Sequence, residues 1–242
     1  MTLPVFGFVS VHHRSLADGV ACEAEWMASA ATTGRAGAHL WRGEPGLAVP
    51  RSYTTLPGWA AAARAHRVQV RASGGGVVPL GPGVLNLSLV WRTERAAPCE
   101  TDAIYRELCG ELSRALARLG IDAAPRAVSG SFCDGRFNLA AGGRKLVGTA
   151  QSWRRIAGQP VVLAHAAIVV DADPQVLTDV ANAFEGDLGC GRQYRADALT
   201  SVAQAWQEAH GDAAPADLEA RVTNVLAEQF ARIVVPRKSQ VE

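Results

Sequence analysis

The chain has 242 residues, 48% of them apolar, and carries 24 Lys plus Arg against 23 Asp plus Glu for a net charge of +1. An ordinary hydrophobic core is within reach, while a near-neutral chain without a basic block argues against nucleic acid or an acidic membrane surface as the main partner. Five cysteines, at 22, 99, 109, 133 and 190, are an odd number with no C-x-x-C pair, so neither a disulfide framework nor a zinc knuckle is expected, and a reducing cytoplasm fits best.

The first residues, Met-Thr-Leu-Pro-Val-Phe-Gly-Phe-Val, lack a basic n-region and a long apolar h-region, so no secretory signal is expected. No apolar run reaches the roughly 20 residues that span a bilayer. Ser15 to Thr32 suits a helix with Asp18 as candidate N-cap and a face of small residues interrupted by Trp26. His39-Leu40-Trp41 and Gly46 to Pro50 read as two short strands joined by a turn around Glu44-Pro45. Alanine-rich Tyr53 to His66 reads as a short helix.

Val68 to Arg71 alternates as a strand and delivers the chain into a loop, Ala72 to Gly83, that contains Gly74-Gly75-Gly76. Three glycines in succession let the backbone approach a ligand closely and aim several N–H groups at an anion, as in a phosphate cradle. Such a run also makes a plain flexible loop. Val84 to Trp91 alternates as a half-buried strand, and Asp102 to Leu119 has the spacing of an amphipathic scaffold helix. Ala123 to Val128 leads back into a sheet, and Ser129 to Gly135 is a loop.

Asn138 to Gln151 places two short apolar runs on either side of Gly142-Gly143, the signature of a tight hairpin. Lys145 stands just past the turn. Only Lys145 and Lys238 of the 24 Lys plus Arg are lysines, so nearly every such cation is arginine. An ammonium is a compact point charge on a flexible stem, able to reach a carbonyl and a phosphate oxygen together, whereas guanidinium is a planar fork. The plainer reading is a lysine that solubilises an edge strand. Cys133 also has two readings. A loop cysteine beside a cation can act as an acyl-accepting nucleophile, and free cysteines are more often inert. Further on, Val161 to Val170 is an apolar strand containing His165, Pro174 to Ala183 suits a short helix, Pro215 to Ile233 an amphipathic one, and Arg237 to Glu242 a frayed tail.

Gly135-Arg136-Phe137-Asn138-Leu139 followed by Arg144-Lys145-Leu146-Val147-Gly148-Thr149-Ala150-Gln151 resembles the lysine motif of the lipoate–protein ligase family: Gly-Arg-x-Asp-Leu, a short hairpin, then Lys-x-x-Gly-x-Ala. Arg71 followed by x-Ser-Gly-Gly-Gly, upstream of an alternating strand, resembles the family's first signature. His165 to Asp173 resembles its later His-Gly-x-Leu-Leu-x-x-x-Asp strand, and Leu199-Thr200-Ser201-Val202 its Ile-Thr-Ser-Val. Leu80, Asn138 and Ala166 replace a His, an Asp and a Gly of the family pattern.

The resemblance implies an α/β (α+β) fold, with a mixed, mostly antiparallel sheet flanked by helices as in the biotin and lipoate ligase catalytic domain. It implies a catalytic domain over 1–200 and a short helical extension over 201–242. In the ligase reading, ATP and Mg²⁺ activate lipoate or octanoate as an acyl-adenylate. Arg71, Ser73, Gly74, Gly75, Gly76, Val77, Val78 and Pro79 hold its phosphates, and Lys145 stabilises charge developing on the carbonyl and bridging oxygens. Trp41, Asn86, Gly148, Ala150 and His165 are the candidates to line the acyl pocket. The acceptor is a lysine on a lipoyl-carrier domain of 2-oxoacid dehydrogenase complexes or on the glycine cleavage H protein. Many full ligases carry a further C-terminal domain, and about forty residues follow Thr200, so a separate accessory-domain protein is compatible with this reading.

A second reading is an ATP-independent octanoyltransferase. Enzymes of related fold place a nucleophilic cysteine on the loop before the lysine motif, and Cys133 stands about three residues nearer to the lysine than theirs. A third reading is a non-catalytic binder of lipoyl or adenylate ligands, resting on the departures at Leu80, Asn138 and Ala166.

Overall fold

The structure, a computed structural model, describes residues 3–94 and 100–231. Cys99, Lys238 and the Arg237 to Glu242 tail lie outside the described residues. Among the described residues the chain forms ten strands and six α-helices: β1 Ser10–Val11, α1 Gly19–Thr33, β2 Gly37–Trp41, β3 Gly46–Pro50, α2 Trp59–Ala65, β4 Val68–Arg71, β5 Val78–Leu80, β6 Val84–Arg92, α3 Thr101–Ala117, β7 Ala124–Pro125, β8 Leu139–Ala141, β9 Arg144–Ile156, β10 Gln159–Val169, α4 Pro174–Asp187, α5 Val202–His210 and α6 Leu218–Ala231. Seven strands make the main sheet in the order β1-β2-β6-β10-β9-β8-β7, and β4-β3-β5 make a second, smaller one. Only β1/β2 and β3/β4 are parallel. This is the mixed, mostly antiparallel α/β architecture that the family resemblance implies.

Local chemistry accounts for most of the elements. Asp18 caps α1 through Ala21 N, and Gly34 ends it in the left-handed region. Gly142 and Gly143 both have positive φ, at 55° and 78°, which is the two-residue turn that joins β8 to β9. The Tyr53 to His66 segment is not one helix. A 3₁₀ turn at Arg51–Thr55 precedes α2, with Pro57-Gly58 between them, and Gly58 is so close to the Asp187 and Leu188 carbonyls that a Cβ would sit 2.5–2.6 Å from them. The strand pair expected to meet at Glu44-Pro45 is separated: β2 joins the main sheet against β6, while β3 is the centre of the small one. Ala123 to Val128 contributes only the two-residue edge strand β7.

Cross-strand partners share a face, so the register sorts the main sheet into two surfaces. Leu40, Leu87 and Ala166 lie in one row, and their face packs with α3 and α6 into the largest apolar cluster. Val202, Ala205, Leu218, Val222, Leu226 and Phe230 from the last two helices belong to that cluster. On the other face Trp41, Asn86, Ala167 and Gly148 lie in register, and the next row runs His39, Ser88, His165, Ala150. The small sheet and α1 cover this second face, with Leu47 and Val49 of β3 packed against Val84 and Val169. Between them the small side chains of Gly148, Ala150 and Ala167 leave a cleft.

Candidate active site

The cleft is lined by Lys145, Cys133, Phe132 and Thr149 from the lysine hairpin and the loop before it, by Arg71, Val78, Pro79 and Leu80 from the glycine-rich segment, and by Trp41, Asn86, Gly148, Ala150 and His165 from the sheet. All five sequence-based candidates for the acyl pocket therefore meet in one place, together with both groups proposed for chemistry. Ser73 stands behind the lining, Val77 is fully buried in the core, and Gly74, Gly75 and Gly76 form the bend above Cys133.

Lys145 is 2% exposed, and its ammonium donates to the carbonyls of Phe132 at 2.6 Å and Cys133 at 3.0 Å. It also sits 5.2 Å from the centre of the Phe132 ring. Burial pulls its pKa down to about 8, and Arg71 nearby pulls the same way, against opposing pulls from Cys133 and Asp134. The pairing of β8 with β9 slips between Leu139 and Ala140, so that Leu139 faces Val147 and Ala140 faces Lys145. Strict alternation would turn Lys145 and Gly148 to opposite faces; with the slip they share the cleft, and a Cβ at Gly148 would lie 3.2 Å from Nζ. Glycine at 148 thus leaves room for the lysine tip.

Cys133 has φ 49°, a left-handed conformation unusual for a residue with a side chain. The two carbonyls held by Lys145 fix that conformation. Its sulfur accepts the Gly76 N–H at 3.2 Å and lies 3.9 Å from Arg71 Nη2. Gly75 has φ 105°, and a Cβ there would fall 2.5 Å from the sulfur, so only glycine permits this approach. The glycine run thus brings one backbone N–H, that of Gly76, to the thiol of Cys133. Asn138 Nδ2 points to the Cys133 carbonyl at 3.5 Å, a contact that the carboxylate of an Asp could not donate.

Arg71 faces inward. At 4% exposure it donates to the carbonyls of Ala48, Gly74 and Gly76 at 2.7–2.9 Å and to Ser73 Oγ at 3.1 Å. Its guanidinium holds the glycine bend in shape. Ser73 Oγ in turn meets His165 Nε2 at 2.9 Å, and His165 Nδ1 meets Glu23 at 2.9 Å. Glu23 of α1 was not singled out in the sequence, where it reads as one polar position of an ordinary helix. It is 3% exposed and reaches the cleft because α1 lies across β6 and β10.

A second buried network lies on the outer side of the bend. Glu185 Oε1 accepts from Tyr53 and Tyr194, both at 2.7 Å, while Arg192 contacts Tyr53 and the Glu185 carboxylate. Burial, together with the Glu185 carboxylate, pushes the Tyr53 phenol up to about 12. A Cβ on Gly76 would be 3.6 Å from the Tyr53 hydroxyl, so this network backs the same bend. Nothing in the local sequence pattern signals it.

A model of the lipoyl protein ligase A/B catalytic domain matches residues 59–229. The chain belongs to that family. An uncharacterised protein of Cupriavidus necator is 40% identical over 219 residues, covering 83% of this chain and 86% of its own length. An octanoyl-[GcvH]:protein N-octanoyltransferase of Kyrpidia tusciae is 40% identical over 141 residues, which cover 56% of this chain and 48% of that enzyme; the match therefore spans about half of the transferase. A Thermoplasma acidophilum protein solved with bound lipoic acid superposes with a TM-score of 0.63 at 17% identity, over 96% of this chain and 84% of that one, and shows the shared fold. Among the described residues, no helix is long and apolar enough to cross a membrane.

Proposed function

We propose that this chain is an acyltransferase that carries octanoyl or lipoyl as a thioester on Cys133 and passes it to a lysine of a lipoyl-carrier domain. The observation that carries this reading is the setting of the Cys133 sulfur: at the cleft wall, under the Gly76 N–H, beside Arg71, on a loop whose carbonyls are bound by Lys145. In the first step the thiolate attacks the donor's acyl carbonyl, the S–C bond forms, and the donor's thiol or amine leaves with a proton. In the second, the acceptor amine attacks the thioester, gives up its proton, and an amide forms as the thiolate is released. The Gly76 N–H, which faces the sulfur, would stabilise the thiolate, and the Lys145 ammonium, with one N–H beyond its two carbonyl bonds, would meet negative charge that develops on the carbonyl oxygen. The Kyrpidia tusciae relative, with its octanoyl-[GcvH]:protein N-octanoyltransferase name, supports an H-protein-like donor and octanoyl as the chain.

The ligase reading, with ATP and Mg²⁺, asks the glycine bend and Arg71 to hold phosphates. That bend fits them poorly as built: the Gly76 N–H faces sulfur, and the Arg71 nitrogens donate to three carbonyls and a hydroxyl. The test is incubation of purified protein with an octanoylated H protein and an apo carrier domain, with and without ATP. Transfer without ATP, together with a mass increase of one octanoyl on Cys133, supports the transferase. Transfer that requires ATP and leaves Cys133 unmodified would refute it in favour of the ligase, and neither product from a folded protein that binds lipoate would leave a binding module.

A further inference from the structure

We propose that Glu23 is a positioning residue for the Cys133 reaction, acting through His165 and Ser73 on Arg71 and so on the glycine bend that meets the sulfur. The reaction itself is the one proposed above; the geometry of the line does not depend on it. Glu23 Oε1 accepts from Ser88 Oγ at 2.7 Å and faces His165 Nδ1 at 2.9 Å. A carboxylate only accepts, so the imidazole proton sits on Nδ1. In the neutral imidazole Nε2 is then the acceptor of the Ser73 hydroxyl, 2.9 Å away, which leaves the Ser73 lone pairs for Arg71 Nε–H at 3.1 Å. Arg71 Nη2 ends the line at the Gly74 and Gly76 carbonyls and beside Cys133 Sγ. Donors and acceptors alternate without conflict from Trp41 Nε1, which donates to Ser88 Oγ at 2.9 Å, through to the sulfur.

Trp41, Ser88, Glu23, Ser73 and Arg71 are buried, while His165 and Cys133 are partly exposed. The hydrogen bond of Glu23 with His165 brings α1, β6, β10 and the glycine loop to one point. The contact orders the core as well as the site, since loss of the carboxylate would leave Ser88 Oγ and His165 Nδ1–H without their acceptor. Its value here is geometric: about 1 Å of misplacement at a reacting centre can cost on the order of a hundredfold in rate.

The experiment compares Glu23→Leu, which removes the acceptor, with Glu23→Gln, whose carboxamide oxygen can still face both donors. Glu23→Leu is expected to slow octanoyl-Cys133 formation at saturating donor by about ten- to a hundredfold with KM little changed, and Glu23→Gln to restore it to within a few-fold. Adding Ser73→Ala to Glu23→Leu should slow the reaction no further than the slower single variant, because both cut one line. Nitrogen-15 NMR of the wild-type imidazole should show the His165 proton on Nδ1, a readout that requires no variant to fold. Iodoacetamide alkylation of Cys133 should slow several-fold in Glu23→Leu and recover in Glu23→Gln. Wild-type-like rates in Glu23→Leu, additive losses, or a proton on Nε2 would each overturn the inference. Because alkylation and NMR use no acyl donor, a wild-type protein that forms no acyl-Cys133 defeats the transferase reading alone.

Discussion

The two faces of the seven-stranded sheet come from the same strands, alternate residue by residue, and have opposite characters. One buries Leu40, Leu87, Leu89, Val162 and Ala164 against α3 and α6 in the largest apolar cluster. The other replaces bulk with Gly148, Ala150 and Ala167 and brings in His165, Asn86 and Ser88. A sheet can hold a reactive cleft on one side because the opposite side supplies the packing energy. Substitutions on the two faces should therefore separate chemistry from stability.

The largest effect is expected at the cleft. Cys133→Ala should abolish the covalent octanoyl adduct seen by intact-protein mass spectrometry while leaving the melting curve within a few degrees of wild type; a surviving adduct on this variant would break the contrast. Next, Lys145→Arg should lower transfer by about a hundredfold or more, since a planar fork cannot take the point-charge position between two carbonyls and the Gly148 backbone. Near-wild-type turnover in that variant removes Lys145 from the mechanism.

On the packed face, Leu87→Ala should cost about 2–5 kcal/mol of unfolding free energy and leave the rate per folded molecule unchanged. Denaturant titration beside activity measured well below the melting point checks both halves. If the rate constant falls in step with stability, the two faces are coupled and the division fails.

The smallest effect lies between the two. Folded Lys145 titrates at about 8 against an ordinary 10.5, so below pH 8 both states hold the proton and the burial cost is fully present. Between about 8 and 10.5 only the unfolded chain holds it, and stability rises with pH. In a Cys133→Ala background, where that thiol cannot titrate, the unfolding free energy relative to the same chain with Lys145→Met should rise across this window by up to roughly 3 kcal/mol. A flat or falling difference would show that the amine is not held in the interior.

Much of this was readable beforehand where the causes are short-range. The α3 periodicity, the β6 strand, the Asp18 cap and the Gly142-Gly143 turn depend on residues within a few positions of one another, and each formed as expected, except that β6 is buried on both faces and not on one, because the small sheet and α1 cover its second side. The family motifs pointed to Lys145, Arg71 and the glycine run, which do converge. What approaches the glycines in the structure is Cys133, 57 residues away from Gly76, and no local pattern announces that contact.

The sequence by itself determined the elements, the scarce lysine, and a run of residues without side chains, since propensity, periodicity and turn chemistry act through neighbours along the chain. Only the tertiary structure decided that β2 and β3 part into different sheets, that a register slip brings Lys145 to the Gly148 side, that Arg71 turns inward, and that Glu23 meets His165 across 142 positions. Those outcomes depend on which buried donors find acceptors once the layers close, and that pairing exists only when distant segments are already in contact.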